Sequence, residues 1–201
     1  MCRFIESIKL ENGHFEGLPL HQARLLKAIM DYYPNEKAID LQDFLTSTDF
    51  PKIGKYKCRV VFDSSIIQVE FTEYMQREIK SLQLVETDLE SFAYKLEDRT
   101  ALNEAYAKRG ECDDVLLVRN GLLTDTSYTN IALFDGKNWF TPRKPLIEGV
   151  NRIELLQNGK IIEKDIFATE LKNYKQICLF NAMIEFGELV LDVAKIQTET
   201  P

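Results

Sequence analysis

A lysine and a carboxylate in this chain have side chains that could act together on a ring-shaped cofactor. Lys95 lies in the segment A-Y-K-L-E-D-R at residues 93–99. When burial or a neighbouring cation lowers the pKa of a lysine, its neutral amine becomes a nucleophile and a base. Asp125 lies in G-L-L-T-D-T-S-Y-T-N at residues 121–130 and could stabilise a protonated ring nitrogen. The ordinary alternatives are a solvated lysine and an aspartate that only shapes a turn.

A glycine-centred turn further along the chain adds a potential anion site. The sequence I-E-G-V-N-R at residues 147–152 predicts the start of a helix. Backbone N–H groups at a helix start bind phosphate well, because they have no partner inside the helix. The residues concerned are Gly149, Val150 and Asn151. A lysine, a carboxylate and this turn together suit a phosphorylated cofactor that withdraws electrons, although a plain helix start is the simpler interpretation.

Two arginines could bind further anionic groups. Arg24 lies one helical turn after His21 in H-Q-A-R-L-L, and its planar guanidinium could grip a phosphate through paired hydrogen bonds. It could equally lie on a solvated helix face. His21 is predicted to be structural and to bond a nearby backbone group. Arg59 interrupts the strand-like run K-C-R-V-V-F, where it is either an exposed strand residue or a cation directed at a substrate carboxylate.

Composition narrows the class of partner. The chain has 201 residues and a formal net charge of −7, and its lysines and arginines are scattered rather than clustered. This argues against a nucleic acid or an anionic membrane as the main partner, and no apolar run approaches the roughly 18–20 residues of a membrane span. The four cysteines are far apart and form no CxxC pair, and with only two histidines we expect no metal site. The compartment is predicted to be cytoplasmic.

The chain is predicted to form a mixed α and β fold, α+β in type, with two domains at residues 1–90 and 91–201. In the first domain, alternating and apolar patterns predict strands at residues 4–9, 56–62 and 66–71 and helices at 19–33 and 38–47. Residues 75–92 lose this pattern and become charged. They are interpreted as the crossing to the second domain.

The second domain is predicted to be larger and richer in strands. A helix at residues 100–109 ends at Gly110, and hairpin turns follow at Asn120-Gly121 and Asp135-Gly136. Strands are expected at residues 114–119, 122–124, 130–134, 139–141, 161–163 and 176–181, with a further helix at 150–156. The tail after Val193 is expected to be loose.

The order and spacing of these motifs resemble those of the class IV aminotransferase family, the fold-type IV enzymes that depend on pyridoxal 5'-phosphate. I-E-S-I-K at residues 5–9 is similar to the family's F-E-T-hydrophobic-R strand, and H-Q-A-R-L is similar to its H-x-x-R-L helix. Y-K-L-E-D-R is similar to the segment with the Schiff-base lysine, and G-L-L-T-D-T-S-Y-T-N-I to G-x-V-x-E-x-x-x-S-N-hydrophobic. T-P followed by I-E-G-V-N-R is similar to the phosphate-binding turn.

The resemblance implies a role for each candidate residue. Lys95 would be the catalytic lysine that bonds to the cofactor, and Arg24 would bind the cofactor's phosphate. Asp125 would take the place of the glutamate that faces the pyridine nitrogen. Further cofactor-binding residues implied in this way are Asn130, Gly149, Val150 and Asn151. Substrate-binding residues implied in this way are Arg59, for a carboxylate, and Asn181 and Ala182.

The resemblance also implies a two-domain fold of the D-amino acid aminotransferase type, a small-molecule amino substrate and a homodimer. The chain begins about where the family's first strands and a D-x-G-D-G segment would end, so we expect an N-terminally shortened version of the fold. The family's glutamate is Asp125 here, one methylene shorter, and the proline and threonine of its turn are Glu148 and Asn151.

Two details favour the branch of the family that contains 4-amino-4-deoxychorismate lyase. Lyases tend to have an arginine four residues after the lysine, here Arg99, and N-A-hydrophobic in a late strand, here at residues 181–184. The implied activity is the formation of 4-aminobenzoate and pyruvate, a step in folate precursor synthesis. The alternatives are a branched-chain or D-amino acid aminotransferase, and a catalytically silent relative that binds pyridoxal phosphate.

Overall fold

The computed structural model describes residues 2–90 and 94–198 and combines helices with strands along the chain. This content confirms the predicted mixed α and β fold class. The described residues form two compact units. The first comprises residues 2–75 with Tyr94–Asp98, and the second comprises residues 76–90 with 99–198. No helix in these ranges has both the length and the apolar character needed to cross a membrane.

The first unit is built on a four-stranded antiparallel sheet. In sheet order its strands are β2 (His14–Phe15), β1 (Phe4–Glu11), β3 (Lys55–Phe62) and β4 (Ile66–Glu73). Asn12 and Gly13 form the turn from β1 to β2, and their positive φ angles of 47° and 83° explain why an Asn-Gly pair occurs there. The helices of the unit are α1 (Leu18–Tyr32) and α2 (Leu41–Thr46), with Asp40 capping α2.

One face of this sheet is apolar and packs against the helices. Every second residue of β1, and of β3 from Cys58 onward, is buried there, because side chains alternate across a strand. Members of this buried cluster include Phe4, Ile8, Leu25, Ile29, Cys58, Val60 and Phe62. The intervening residues, which include Ser7 and Arg59, therefore lie on the opposite and more polar face.

A short segment from later in the chain completes the first unit. Tyr94–Asp98 runs antiparallel to the beginning of β1, with Ile5 N donating to Lys95 O at 2.8 Å and Glu97 N donating to Arg3 O at 3.0 Å. The sequence interpretation assigned this segment to the second domain. Its backbone pairing with β1 is nonlocal, which is why the local pattern gave no sign of it. The pairing makes the predicted catalytic lysine part of the first unit.

The described part of the second unit contains two sheets. One has the order β13 (Ile196–Gln197), β5 (Leu82–Glu86), β6 (Asp114–Arg119) and β7 (Leu122–Thr126). The other has the order β10 (Ile162–Lys164), β9 (Trp139–Pro142), β8 (Asn130–Phe134), β11 (Gln176–Phe180) and β12 (Val190–Asp192). The helices are α3 (Thr100–Ala107) and α4 (Val150–Gln157), with 3-10 helices at Ala168–Asn173 and Val193–Lys195. Apolar side chains of both sheets, such as Leu116 and Ile131, share one core.

Two strands of this unit differ from the sequence expectation. Residues 75–92 were predicted to be an irregular crossing, yet β5 lies inside its sheet and pairs in parallel with both β6 and β13. Ile196 was predicted to lie in a loose tail, yet it is buried and pairs with Leu82. Both strands are short, and their stability comes from partners far away in the sequence, which a local pattern does not reveal.

Candidate active site

The polar face of the first sheet brings Lys95 and Arg59 onto one surface. Ser7, Arg59 and Glu70 lie directly opposite one another on β1, β3 and β4, so their side chains share this face. Lys95 Nζ donates a hydrogen bond to Ser7 Oγ at 3.1 Å. Arg59 Nη2 donates to Glu97 Oε1 at 3.1 Å. The predicted catalytic lysine and the predicted substrate-binding cation therefore lie on the same side of the sheet.

The backbone of its own segment positions Lys95. The Lys95 carbonyl accepts the hydrogen bond from Ile5 N, and the next residue, Leu96, bridges to Phe4. Because side chains alternate along an extended segment, Lys95 and Glu97 point to one side while Leu96 points to the other and packs in the apolar cluster. The amine thus reaches the polar face from a backbone that is fixed by the sheet.

Arg59 already contacts carboxylates of its own unit. Besides Glu97, it faces Glu70 with an N–O distance of 3.8 Å, and Glu97 in turn lies 3.7 Å from Arg3. The side chains of Arg59 and Glu97 are 26% and 29% exposed. Ion pairs with this much solvent contact are weak, so a substrate carboxylate could replace Glu97 at little cost.

A buried carboxylate that the motif did not reveal holds Arg24. Arg24 Nε donates to Glu6 Oε1 at 2.7 Å, and Arg24 Nη2 donates to Glu6 Oε2 at 2.6 Å. Burial by itself would raise the pKa of Glu6, but the Arg24 guanidinium more than compensates and lowers this pKa to about 2. Burial would lower the pKa of Arg24, and the charge of Glu6 instead raises it. Arg24 therefore carries a permanent positive charge in a fixed plane, which suits a phosphate ligand.

His21 belongs to the same buried cluster. Its Nδ1 lies 2.5 Å from Glu6 Oε2, and the ring is buried. Burial lowers the pKa of His21, although the Glu6 carboxylate opposes this shift. The ring is therefore neutral near pH 7 and donates its Nδ1–H to Glu6. The structural role predicted for His21 agrees with this contact, but the partner is a side chain rather than the backbone.

In the second unit, Asp125 braces the turn that was predicted to bind phosphate. Asp125 Oδ2 accepts hydrogen bonds from the backbone N–H groups of Leu146 at 2.7 Å and Ile147 at 3.0 Å. Its Oδ1 accepts from Asn130 Nδ2 at 2.9 Å. Burial raises the pKa of Asp125 to about 6, and these donors offset that effect only in part. The contact with a ring nitrogen stays a prediction, whereas the bracing contacts lie within the unit.

Asn130 and Gly149 complete this arrangement. Asn130 Nδ2 also donates to Ile147 O at 2.8 Å. Asn130 Oδ1 lies so close to Gly149 that a Cβ atom added there would come within 2.0 Å of it. The φ angle of Gly149 is an ordinary −68°, so glycine is required here for close approach rather than for backbone freedom. We call Asp125, Asn130 and Gly149 the turn bracket.

A second group of contacts connects the remaining predicted residues. Asn151 Nδ2 donates to Asn181 O at 3.0 Å, which joins the start of α4 to the end of β11. Asn181 Nδ2 donates to Tyr128 O at 3.1 Å. Val150 and Ala182 adjoin these two asparagines in the chain. The structure therefore brings together the residues of the second unit that the sequence predicted for cofactor and substrate.

Arg99 and Asn181, the residues that favoured the lyase branch, contact the same turn. Arg99 Nη2 donates to Ser127 O at 2.7 Å, next to the carbonyl of Tyr128 that Asn181 contacts. Burial lowers the pKa of Arg99, and the charge of Asp114 opposes the shift. Both side chains support the turn between β7 and β8, a role that the motif did not indicate.

Sequence reasoning missed Glu6, Ser7 and Glu97. Glu6 and Ser7 are the polar pair of I-E-S-I-K, and strand alternation predicts that their side chains point to opposite faces. That alternation was the available signal for a buried glutamate. Glu97 had no such signal, because only the nonlocal pairing of its segment with β1 brings it to Arg59.

Sequence comparison places the chain in a known family. The pattern of the amino-transferase class IV family matches residues 70–190. An uncharacterised protein of Haemophilus influenzae (strain Rd) is 32% identical over 186 residues, which cover 91% of this chain and 98% of that protein. The chain therefore belongs to the amino-transferase class IV family, which confirms the resemblance seen in its motifs.

Solved structures with the same fold include a candidate lyase and a hypothetical aminotransferase. A candidate 4-amino-4-deoxychorismate lyase from Haemophilus somnus 129PT matches with a TM-score of 0.84 and 30% identity, covering 92% of this chain and 98% of that chain. The PLP-bound form of a hypothetical aminotransferase from Mycobacterium tuberculosis matches with a TM-score of 0.73 and 15% identity, covering 98% of this chain and 84% of that one. This second likeness concerns the fold alone. Together they confirm a fold of the class IV aminotransferase type.

Proposed function

We propose that this protein is a pyridoxal-phosphate-dependent enzyme that converts 4-amino-4-deoxychorismate to 4-aminobenzoate and pyruvate, a folate precursor step. The observation that carries the proposal is Lys95 on the polar face of the first sheet, where its Nζ is hydrogen-bonded to Ser7 and Arg59 lies in register with Ser7. Membership of the class IV family supports the cofactor. The 30% identity to the candidate lyase from Haemophilus somnus supports the reaction.

The residues present fit this cofactor in most respects. Lys95 offers the amine for covalent attachment from the polar face of the first sheet, and Arg24 offers a fixed cation for the phosphate from the helix-covered face. The two lie near enough for the charge of Lys95 to lower the pKa of His21, one helical turn before Arg24. Val150 and Asn151 at the start of α4 offer backbone N–H groups. Asp125 fits less directly, because protein N–H groups already point at both of its carboxylate oxygens. When bound, pyridoxal phosphate supplies an electron sink for bonds broken at the carbon that bears the substrate amine.

Lys95 would act as the base of the reaction. Once the amine of the substrate has displaced it, the neutral Lys95 amine takes a proton from the ring carbon that bears the amino group, and Ser7 Oγ holds Nζ in place for this step. Breaking the C–O bond to the enolpyruvyl group then leaves an aromatic ring. The released enolpyruvate gains a proton to become pyruvate, so no oxidant or reductant is required.

Arg59 would hold a carboxylate of the substrate on the same face. The contact between Arg59 and Glu97 is partly exposed, so a substrate carboxylate can compete with Glu97 for the guanidinium. We expect Arg59→Gln to raise KM for 4-amino-4-deoxychorismate more than it lowers kcat. Steady-state kinetics on the purified variant measures the two effects separately.

Purified protein provides the test of the proposal. The protein should be yellow, and borohydride reduction followed by peptide mass spectrometry should find the cofactor attached at Lys95. Incubation with 4-amino-4-deoxychorismate should release 4-aminobenzoate and pyruvate. Lys95→Ala should abolish both attachment and turnover, whereas Lys108→Ala, which removes an exposed lysine of the second unit, should leave them unchanged.

Other outcomes lead to other functions. Colourless protein, with Lys95→Ala indistinguishable from the parent, would rule out the cofactor and the enzyme together. Keto-acid-dependent formation of glutamate from leucine or D-alanine would replace the lyase with an aminotransferase that uses the same lysine. Yellow protein without any product across such substrates would indicate a silent cofactor-binding relative.

The homodimer implied by the family resemblance forms part of the proposal. Light scattering at micromolar concentration measures the mass of the particle in solution. A mass near twice the 23.3 kDa of the chain would support the dimer, and a mass near that of one chain would contradict it.

A further inference from the structure

Glu6 is an unusual residue for the middle of an apolar strand face. It lies on β1 between Phe4 and Ile8, and all three point toward the helices. Only 1% of its surface is exposed. A carboxylate buried to this degree is costly unless it is paired and hydrogen-bonded. Glu6 must therefore be paired with a cation or with hydrogen-bond donors.

The partners of Glu6 are both side chains of α1. Arg24 contacts both carboxylate oxygens through Nε and Nη2, and His21 contacts Oε2 through Nδ1. A bidentate contact between a carboxylate and a guanidinium fixes the plane of the guanidinium as well as its position. The directions in which the other N–H bonds of Arg24 point are thereby set by Glu6.

The charges of this cluster favour one protonation state. Glu6 is ionised, since Arg24 more than compensates for burial and lowers its pKa to about 2. His21 is neutral, since burial lowers its pKa, and it adds a hydrogen bond without adding charge. Glu6 thus neutralises Arg24 locally while holding it, and the imidazole fills the remaining acceptor position on Oε2.

We propose that Glu6 is the positioning residue for Arg24, and that its bidentate contact gives the protein its selectivity for a phosphorylated cofactor over the same cofactor without phosphate. This inference rests on the proposed function, because it takes Arg24 as the ligand of the cofactor's phosphate. Glu6 itself touches neither cofactor nor substrate. Glu6 acts on phosphate binding only by orienting the Arg24 guanidinium. A phosphate ester can form paired hydrogen bonds with that guanidinium in one orientation only.

Binding of two related ligands separates this role from a structural one. Pyridoxal phosphate and pyridoxal share the reactive aldehyde and differ in the phosphate, so the ratio of their dissociation constants reports on the phosphate contact alone. In Glu6→Gln, we expect the dissociation constant for pyridoxal phosphate to rise roughly tenfold or more, while that for pyridoxal changes little. Glu6→Asp keeps the charge but shortens the side chain by one methylene, so it should raise the dissociation constant for pyridoxal phosphate by less. Glu11→Gln is the matched control and should behave as the parent, because Glu11 is a half-exposed glutamate of the same strand and its partner Lys9 keeps a second carboxylate, Glu16.

The outcomes distinguish this inference from the proposed function. If the parent protein binds neither ligand at Lys95, the proposed function fails. If the parent prefers pyridoxal phosphate and Glu6→Gln keeps that preference, the positioning role is overturned while the function stands. If Glu6→Gln does not fold, Glu6→Asp decides in the same way. Loss of folding in both variants, or an equal loss of affinity for both ligands, would make Glu6 a purely structural residue and overturn the inference.

Discussion

Glu6 in the first unit and Asp125 in the second are both buried carboxylates that contact predicted site residues, and the two are held in opposite ways. Glu6 in the first unit is 1% exposed and Asp125 in the second is 4% exposed, so burial is nearly equal. The pKa of Glu6 is lowered to about 2, whereas the pKa of Asp125 is raised to about 6. Burial raises the pKa in both cases, so the difference comes from the partners.

The partners differ in charge. Glu6 faces the guanidinium of Arg24, whose full charge favours the ionised carboxylate strongly. Asp125 faces the backbone N–H groups of Leu146 and Ile147 and the amide of Asn130, which are neutral dipoles. The first unit therefore uses a carboxylate to orient a charged side chain. The second uses one to hold a backbone turn.

The largest expected effect follows from removing the carboxylate that has a charged partner. Glu6→Leu leaves the Arg24 guanidinium buried without its counter-charge, which should lower the free energy of unfolding by about 3–5 kcal/mol. Chemical denaturation measures the loss. Adding Arg24→Met should recover much of it, because the double variant buries no charge. A loss below about 1 kcal/mol in Glu6→Leu would show that the ion pair is not what stabilises this cluster.

The contrast between these residues also explains what the sequence could predict. Asp125 was found because it lies inside a contiguous motif, G-L-L-T-D-T-S-Y-T-N, that is visible without knowledge of its distant partners. The strands at residues 56–62 and 114–119 were found for the same reason, since their patterns need no distant partner. Glu6 lies in an equally visible motif, but its role depends on α1 packing on one face of the sheet. No spacing rule states which face that is.

The bracing role of Asp125 and the inclusion of Lys95 in the first unit were beyond sequence reasoning for a related reason. Each depends on a backbone contact between segments far apart in the chain: Asp125 with Leu146 and Ile147, and Lys95 with Ile5. A motif conveys which residue types are needed. It does not convey which backbone groups they will contact once the chain is folded.

The dependence of stability on pH should have opposite signs for the two carboxylates. The pKa of Glu6 is lower in the folded chain than its usual 4.5, so its stabilisation is present above pH 4.5 and is lost as the pH falls toward 2. The pKa of Asp125 is raised from 3.8 to about 6, so its stabilisation is present below pH 3.8 and is lost as the pH rises through 6. Each change amounts to about 3 kcal/mol.

Difference curves isolate the two residues from other titrating groups. The unfolding free energy of the parent minus that of Glu6→Gln should rise with pH between about 2 and 4.5. The same difference for Asp125→Asn should fall with pH between about 3.8 and 6. If both difference curves rose with pH, the neutral dipoles around Asp125 would favour its ionised form as the guanidinium favours that of Glu6. The two carboxylates would then not be held in opposite ways.

A smaller loss of stability is expected when a side chain is added at Gly149, which lies against Asn130 in the turn bracket. In Gly149→Ala the new Cβ would lie 2.0 Å from Asn130 Oδ1, so the Asn130 amide must move and give up its contacts with Asp125 and Ile147. We expect a loss of about 2–3 kcal/mol in thermal or chemical unfolding. Gly159→Ala is the control, because no atom lies within 4 Å of the Cβ that would be added there. Only the positive φ of 66° at Gly159 opposes the change, which should lower the free energy of unfolding by about 1 kcal/mol. Equal losses in both variants would show that Asn130 is free to move and that the bracket is loose.

The smallest expected effect comes from neutralising Asp125 without changing its shape. In Asp125→Asn the amide oxygen can still accept the N–H groups of Leu146 and Ile147, while the new Nδ2 faces Asn130 Nδ2 and cannot accept from it. At neutral pH, above its pKa of about 6, Asp125 is ionised, so the variant loses one hydrogen bond to a carboxylate but also removes a buried charge. Because the two changes oppose each other, the free energy of unfolding should fall by only about 1–2 kcal/mol. Asp113→Asn is the matched control, since the Asp113 carboxylate also accepts backbone N–H groups, those of Lys80 and Ser81, but at a more exposed position; it should cost less. If Asp125→Asn costs as much as Glu6→Leu, the charge of Asp125 is essential to the fold, and the two carboxylates are held in the same way after all.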